Sequence, residues 1–144
     1  MSELKNRSAY HEYFIDAKYE AGMVLLGTEV KSLRAGRASF NDSYCLIADG
    51  EIWLKSLHIA EYTHGNLNNH DPLRDRKLLL KKREITKIAA KLKEKGYTIV
   101  PLRIFFKERL AKIEIGLAKG KKLHDKRESI KQKDVEREMK RFLK

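Results

Sequence analysis

Two runs late in the chain place an apolar residue at every second position, and the pattern then stops abruptly. Val100, Leu102, Ile104 and Phe106 form the first run, and Ala111, Ile113, Ile115 and Leu117 form the second. A period of two puts each set on one face of an extended strand, so the pair reads as an antiparallel hairpin turning at residues 107–110. Pro101 has no N–H to give to a ladder, so its strand is expected at a sheet edge or with a bulge at that point. From residue 119 the alternation is gone: residues 119–127 read K-G-K-K-L-H-D-K-R. Residues 119–144 carry 11 Lys and Arg against 5 Asp and Glu, which is half of the chain's net charge of +12. A foldable part over 1–118 and a basic tail over 119–144 is the division this implies.

Strand signals recur upstream. Residues 13–18 and 23–26 read as two short strands around a turn at Ala21-Gly22. Asp49-Gly50, between the apolar runs 44–48 and 51–54, supplies the two positive-φ positions of a type I′ hairpin turn. Thr28 is placed to cap a short helix that Gly36 ends in the left-handed conformation. In that helix Val30 and Leu33 are expected to face inward, which leaves Glu29, Lys31, Ser32 and Arg34 on the outer side. Residues 61–76, with Gly65-Asn66, Asn68-Asn69 and Asp71-Pro72, form a polar loop too long for a plain connector. Ile85, Ile88, Ala89 and Leu92 mark an amphipathic helix over 81–95 that Gly96 stops. Short antiparallel strands with two or three short peripheral helices predict a mainly β fold: a small antiparallel β-barrel, plausibly of the oligonucleotide-binding type.

The charge raises nucleic acid as the partner, because each Lys or Arg near a phosphate releases condensed counterions. In a helical tail, Val135, Met139, Phe142 and Leu143 would share a narrow stripe, with Leu123 and Ile130 nearly opposite. Such a segment is expected to be disordered alone, or helical when bound. The single cysteine, Cys45, excludes an internal disulfide and a cysteine-based zinc cluster and fits a reducing cytoplasm. No stretch has the roughly 18 apolar residues of a membrane span, and residues 1–7 contain no signal-like segment. A cytoplasmic monomer with no membrane association and no cofactor is expected.

Enzyme signatures are weak. His70-Asp71 and His124-Asp125 resemble metal-hydrolase pairs, but one lies in a loop before Pro72 and the other in the basic tail, so no metal site is expected. Residues 116–122 contain glycines and lysines without opening a phosphate-loop helix, and no nucleophile motif occurs. Trp53, Phe105 and Phe106 are read as core, whereas Tyr10, Tyr13, Tyr62 and His124 have polar neighbours that suit stacking on unpaired bases. Glu29 is an acid in a basic protein. It serves either as a salt-bridge partner of Lys31 or Arg34 at a helix start, or as an acceptor for base amino and ribose hydroxyl groups.

Three blocks, G-T-E-V-K-S-L-R at 27–34, R-K-L-L-L at 76–80, and Gly120-Lys121-Lys122 with Asp125-Lys126-Arg127, together resemble the SsrA-binding protein (small protein B) family. Asp42-Ser43-Tyr44, Gly65-Asn66 and Asn69-His70 agree with the same pattern. The resemblance implies an oligonucleotide-binding-type barrel that grips the tRNA-like domain of transfer-messenger RNA. It also implies a tail that enters the empty message channel of a stalled ribosome near the decoding centre, in contact with small-subunit rRNA. No bond would be made or broken. By resemblance, Glu29 and Lys121 match positions linked to RNA binding, and Lys31, Arg34, Asn66, Arg76, Lys77 and Lys122 are expected on or near that surface. His124 would stack on ribosomal RNA, with Asp125, Lys126, Arg127, Lys131, Lys133, Arg137 and Met139 as further tail contacts. The alternative is a structural ribosome-associated RNA-binding protein without rescue activity.

Overall fold

A computed structural model of the chain describes residues 3–63 and 69–121. The elements in order are β1 (Glu3–Lys5), α1 (Arg7–Glu12), β2 (Tyr13–Met23), α2 (Gly27–Arg34), β3 (Ala38–Ser39), β4 (Tyr44–Ala48), β5 (Glu51–Lys55), β6 (His58–Ile59), β7 (Arg76–Leu79), α3 (Lys82–Leu92), β8 (Tyr97–Lys107) and β9 (Leu110–Gly120). Every strand pairing is antiparallel. β8, β4, β5, β7, β2 and β9 pair in that order, and β9 pairs β8 again, so the ladders close into a ring. β1 adds to β8 beside this ring, and β3 pairs β6 separately. The fold is thus mainly β, with short helices around the strands.

The turn chemistry sets the hairpins. Asp49 and Gly50 have φ of 54° and 73°, the two left-handed positions of a type I′ turn, and Ala48 pairs Glu51 across it. The β8–β9 hairpin has the same shape with less suitable residues: Glu108 and Arg109 sit at φ 50° and 72° between the paired Lys107 and Leu110. Gly36, at φ 73°, follows α2, and Gly96, at φ 90°, stands between α3 and β8.

Several expectations are corrected. Residues 13–23 form one strand of 11 residues with no turn at Ala21-Gly22. Gly22 is extended and pairs Leu79 of the neighbouring β7, where a Cβ would lie at an ordinary contact distance of 3.4 Å from Leu79 Cβ. Thr28 lies inside α2 rather than capping it, and the start of α2 is held by the Leu26 N–H donating to Glu29 Oε1 at 2.7 Å. The face of α2 that packs inward carries Glu29, Ser32 and Leu33, so Glu29 and Ser32 are interior and Val30 is only half-buried.

Val100 and Leu102 also leave the face expected for them. The β8–β9 register shifts between Pro101 and Arg103, which is the bulge that Pro101 foretold. The extra residue inverts the alternation. Val100 and Leu102 pack with Ala9 of α1 and Ala118 in a small second core, while Ile104 joins Ile99, Ile113, Ile115 and Leu117 in the main one. Trp53 and Phe105 are half-buried and lie outside both cores, and Phe106 packs against the main core without being fully enclosed. β9 continues to Gly120, two residues past the expected end of the folded part. Asn66, Lys122, His124, Asp125, Lys126, Arg127, Lys131, Lys133, Arg137 and Met139 lie outside the described residues.

Candidate nucleic-acid interface

Residues from three distant parts of the sequence converge on α2. Glu29 presents its carboxylate to β7 and the segment before it. Arg76 Nε donates to Glu29 Oε2 at 2.6 Å, and Arg74 Nη2 donates to Oε1 at 2.5 Å. Arg76 also donates from Nη1 to the Leu57 carbonyl and from Nη2 to the Pro72 carbonyl at 3.2 Å. Glu29 and Arg76 are both wholly buried, and Arg74 is partly exposed. The carboxylate and the Arg76 guanidinium are thereby committed inside the protein. Glu29 does not lie on the outer face of α2 where the sequence reading placed it. Burial pushes the Glu29 carboxyl up, but the Arg74 hydrogen bond, the Leu26 N–H and the Arg76 charge outweigh it and hold the group below its ordinary 4.5.

A second tie binds the same helix to the loop. His70, 3% exposed, lies within 2.8 Å of Thr28 Oγ1 through Nδ1 and within 2.8 Å of the Ile59 carbonyl through Nε2. A carbonyl only accepts, so Nε2 carries the proton, and in the neutral ring Nδ1 accepts from the Thr28 hydroxyl. Asn69 closes the stem of the loop, accepting from the Tyr62 N–H at 3.2 Å and donating to the Tyr62 carbonyl at 2.8 Å. Over this stem Lys31 extends from α2, its Nζ 5.3 Å from the Tyr62 ring centroid. Arg34, exposed on the last turn, lies 4.6 Å from the Phe106 ring and donates to the Arg109 carbonyl at 3.2 Å. Lys77, on β7, pairs loosely with Glu51 at 3.7 Å. α2 therefore offers Lys31 and Arg34 outward from a base fixed by buried ion pairs.

Lys121 is elsewhere. β2 and β9 pair from Tyr13↔Gly120 to Gly22↔Lys112, a ladder of about 27 Å at the usual rise per residue. α2 packs by Arg34 near the Lys112 end, and Lys121 follows the other. There it donates to the Tyr10 carbonyl at 3.2 Å and sits 5.0 Å from the Phe14 ring, while Lys119 lies 4.7 Å from the Tyr97 ring. The sequence-predicted residues thus divide into two basic patches. Arg74, His70 and Phe14 are not among the site residues expected from the sequence, where His70 enters only through a metal-type His-Asp pair and a motif block. For Arg74 the available signal was its i, i+2 spacing from Arg76, which aims two guanidinium groups to one side of an entering strand.

The family described as "SmpB protein" matches residues 3–144. An SsrA-binding protein of Geobacter metallireducens is 61% identical over 138 residues, spanning 96% of this chain and 90% of the relative. The chain belongs to the SmpB family. SsrA-binding proteins of Fervidobacterium nodosum and Bacillus cereus are 56% and 53% identical, each over 96% of this chain and at least 90% of the relative. A solved structure described as "tmRNA-SmpB: a journey to the center of the bacterial ribosome" superposes with a TM-score of 0.71 at 51% identity, covering 84% of this chain and 85% of the other. As an SmpB-family member the chain is a binding protein and not an enzyme. Among the described residues no helix is long and apolar enough to cross a membrane.

Proposed function

We propose that this chain binds transfer-messenger RNA and brings it to stalled ribosomes for trans-translation. The observation that carries the reading is the 51% identical structural match to a tmRNA–SmpB assembly over most of both chains. In this reading Lys31 and Arg34 of α2, with Lys77 nearby, meet phosphates of the tRNA-like domain. Asn66 is a further contact to the same RNA. Glu29 and Arg76 act as positioning residues: their buried pair holds α2 against β7, so the lysine and arginine outside it keep a fixed spacing. Lys121 extends the basic surface at the far end of the β2–β9 ladder, and Lys122, next in sequence, is a further RNA contact. The tail, through His124, Asp125, Lys126, Arg127, Lys131, Lys133, Arg137 and Met139, occupies the empty message channel beside small-subunit rRNA near the decoding centre. The protein acts in the cytoplasm as a monomer.

A reconstituted tagging assay on ribosomes stalled without a stop codon tests this division of labour. Deleting residues 128–144 is expected to leave tmRNA affinity within a few fold while abolishing tagging. Unchanged tagging by the truncated chain would refute it.

A further inference from the structure

The end of the β2–β9–β8 sheet carries a second feature suited to RNA. The β2–β9 register shifts between Ile15 and Ala17, so Asp16 is an extra residue that re-aims everything before it. Beyond the bulge, Phe14 pairs Lys119 of β9, and Lys119 in turn pairs Tyr97 of β8. Directly opposed residues share a face, so Phe14, Lys119 and Tyr97 form one row across three strands. It is the face that carries Leu117 and Ile99 into the main core, continued past the last core residue. Without the bulge Phe14 would point to the other side.

Phe14 is 53% exposed there. The row borders a hollow of about 330 Å³ lined by Phe14, Ile15, Asp16, Tyr97 and Lys119. Cations surround it: Lys121 lies 5.0 Å from the Phe14 ring, and Lys119 and Lys91 lie 4.7 and 5.2 Å from the Tyr97 ring. Lys91 is also 3.5 Å from Glu94, whereas neither Lys119 nor Lys121 pairs with a carboxylate among the described residues. Asp16 is occupied in orienting one ring, accepting from the Tyr97 hydroxyl at 3.3 Å. Aromatic faces interleaved with uncompensated lysines at the end of a small barrel match the chemistry of unpaired bases and their phosphates, since bases stack on rings irrespective of sequence. A duplex hides those base faces.

We propose that Phe14 and Tyr97 form a stacking platform for unpaired nucleotides of the RNA partner, with Lys119 and Lys121 holding the adjoining phosphates. Two strand spacings, about 10 Å, separate the two rings, so each takes its own base. The inference rests on the RNA-binding reading above and adds a single-stranded contact about 27 Å along the β2–β9 ladder from the α2 end.

Anisotropy titrations of the full chain with a labelled unstructured RNA single strand and with a blunt RNA duplex test it, run beside the tRNA-like domain of tmRNA. Phe14→Ala should weaken single-strand binding roughly 5- to 100-fold, the usual range for one stacked base, with the salt dependence unchanged. Duplex binding should stay the same. Lys119→Ala should lower the salt slope by roughly one. Phe14→Ala with native circular dichroism and undiminished single-strand affinity would overturn the proposal, as would an equal loss on duplex, or no single-strand binding by the unaltered chain. If the unaltered chain binds tmRNA in any of these cases, only the platform falls. If it does not bind tmRNA, the proposed function falls and the platform with it.

Discussion

Glu29 and Arg76 meet at 2.6 Å with both side chains wholly enclosed, 47 residues apart in the chain. A charge pair removed from water is costly to make and costlier to break, because the survivor stays buried without compensation. Glu29→Gln is therefore expected to lower unfolding stability by about 3–5 kcal/mol. Urea denaturation at neutral pH measures it, and a loss within the range of a surface substitution would mean that the pair does not anchor α2.

The same carboxylate gives the fold an acid limit. Its pKa in the folded chain lies below the ordinary 4.5, so the folded state binds the proton less readily than the unfolded state does. Its contribution is fully present above 4.5 and is lost as pH falls through the lower, folded value. The difference in urea midpoint between the unaltered chain and Glu29→Gln should be constant from neutral pH down to that range and shrink below it. A difference that grows on acidification would contradict the assignment.

Ser32, on the same inward face of α2, is buried and its Oγ meets no hydrogen-bond partner among the described residues. Replacing an unsatisfied buried hydroxyl with hydrogen removes a desolvation cost. Ser32→Ala should be neutral or stabilise by up to about 1 kcal/mol, read as a raised melting temperature. A clear loss of stability would show that the hydroxyl has a partner.

How much of this was legible in the sequence depended on how local the cause was. The Asp49-Gly50 turn, α3 with its Gly96 stop, the β8–β9 hairpin and the bulge at Pro101 each follow from a few neighbouring residues. Glu29 could not be read that way. Nothing near it reveals that Arg74 and Arg76 will arrive from 45 and 47 residues later, so an acid on a short helix looked solvent-facing. Gly22 was mistaken for a turn because the pairing with Leu79 that keeps it extended lies across a ladder. A bulge was one of the two placements that Pro101 allowed, but its effect of sending Val100 and Leu102 to the α1 side was not read. Of the candidate site, the motif blocks marked segments that the fold brings to α2 without showing which side chains would be buried, and Lys121 belongs to a patch apart from α2.

Gly116 lies where that second core is tightest. A Cβ built on it would come within 3.0 Å of Leu102 Cδ1 and 3.2 Å of Ile15 Cγ2, and Leu102 is fully enclosed. Gly116→Ala should destabilise by about 1–3 kcal/mol through overpacking. Combining it with Leu102→Ala should recover part of that loss in a double-mutant cycle, and additive effects would contradict the contact.

The most direct measurement is a binding titration of the full chain against transfer-messenger RNA and an elongator tRNA at two salt concentrations. Phosphate contacts alone weaken steeply and equally as salt rises, whereas a surface of fixed spacing retains a preference. Tighter binding to transfer-messenger RNA is expected at both concentrations. Equal, weak and steeply salt-dependent binding to the two RNAs would contradict it.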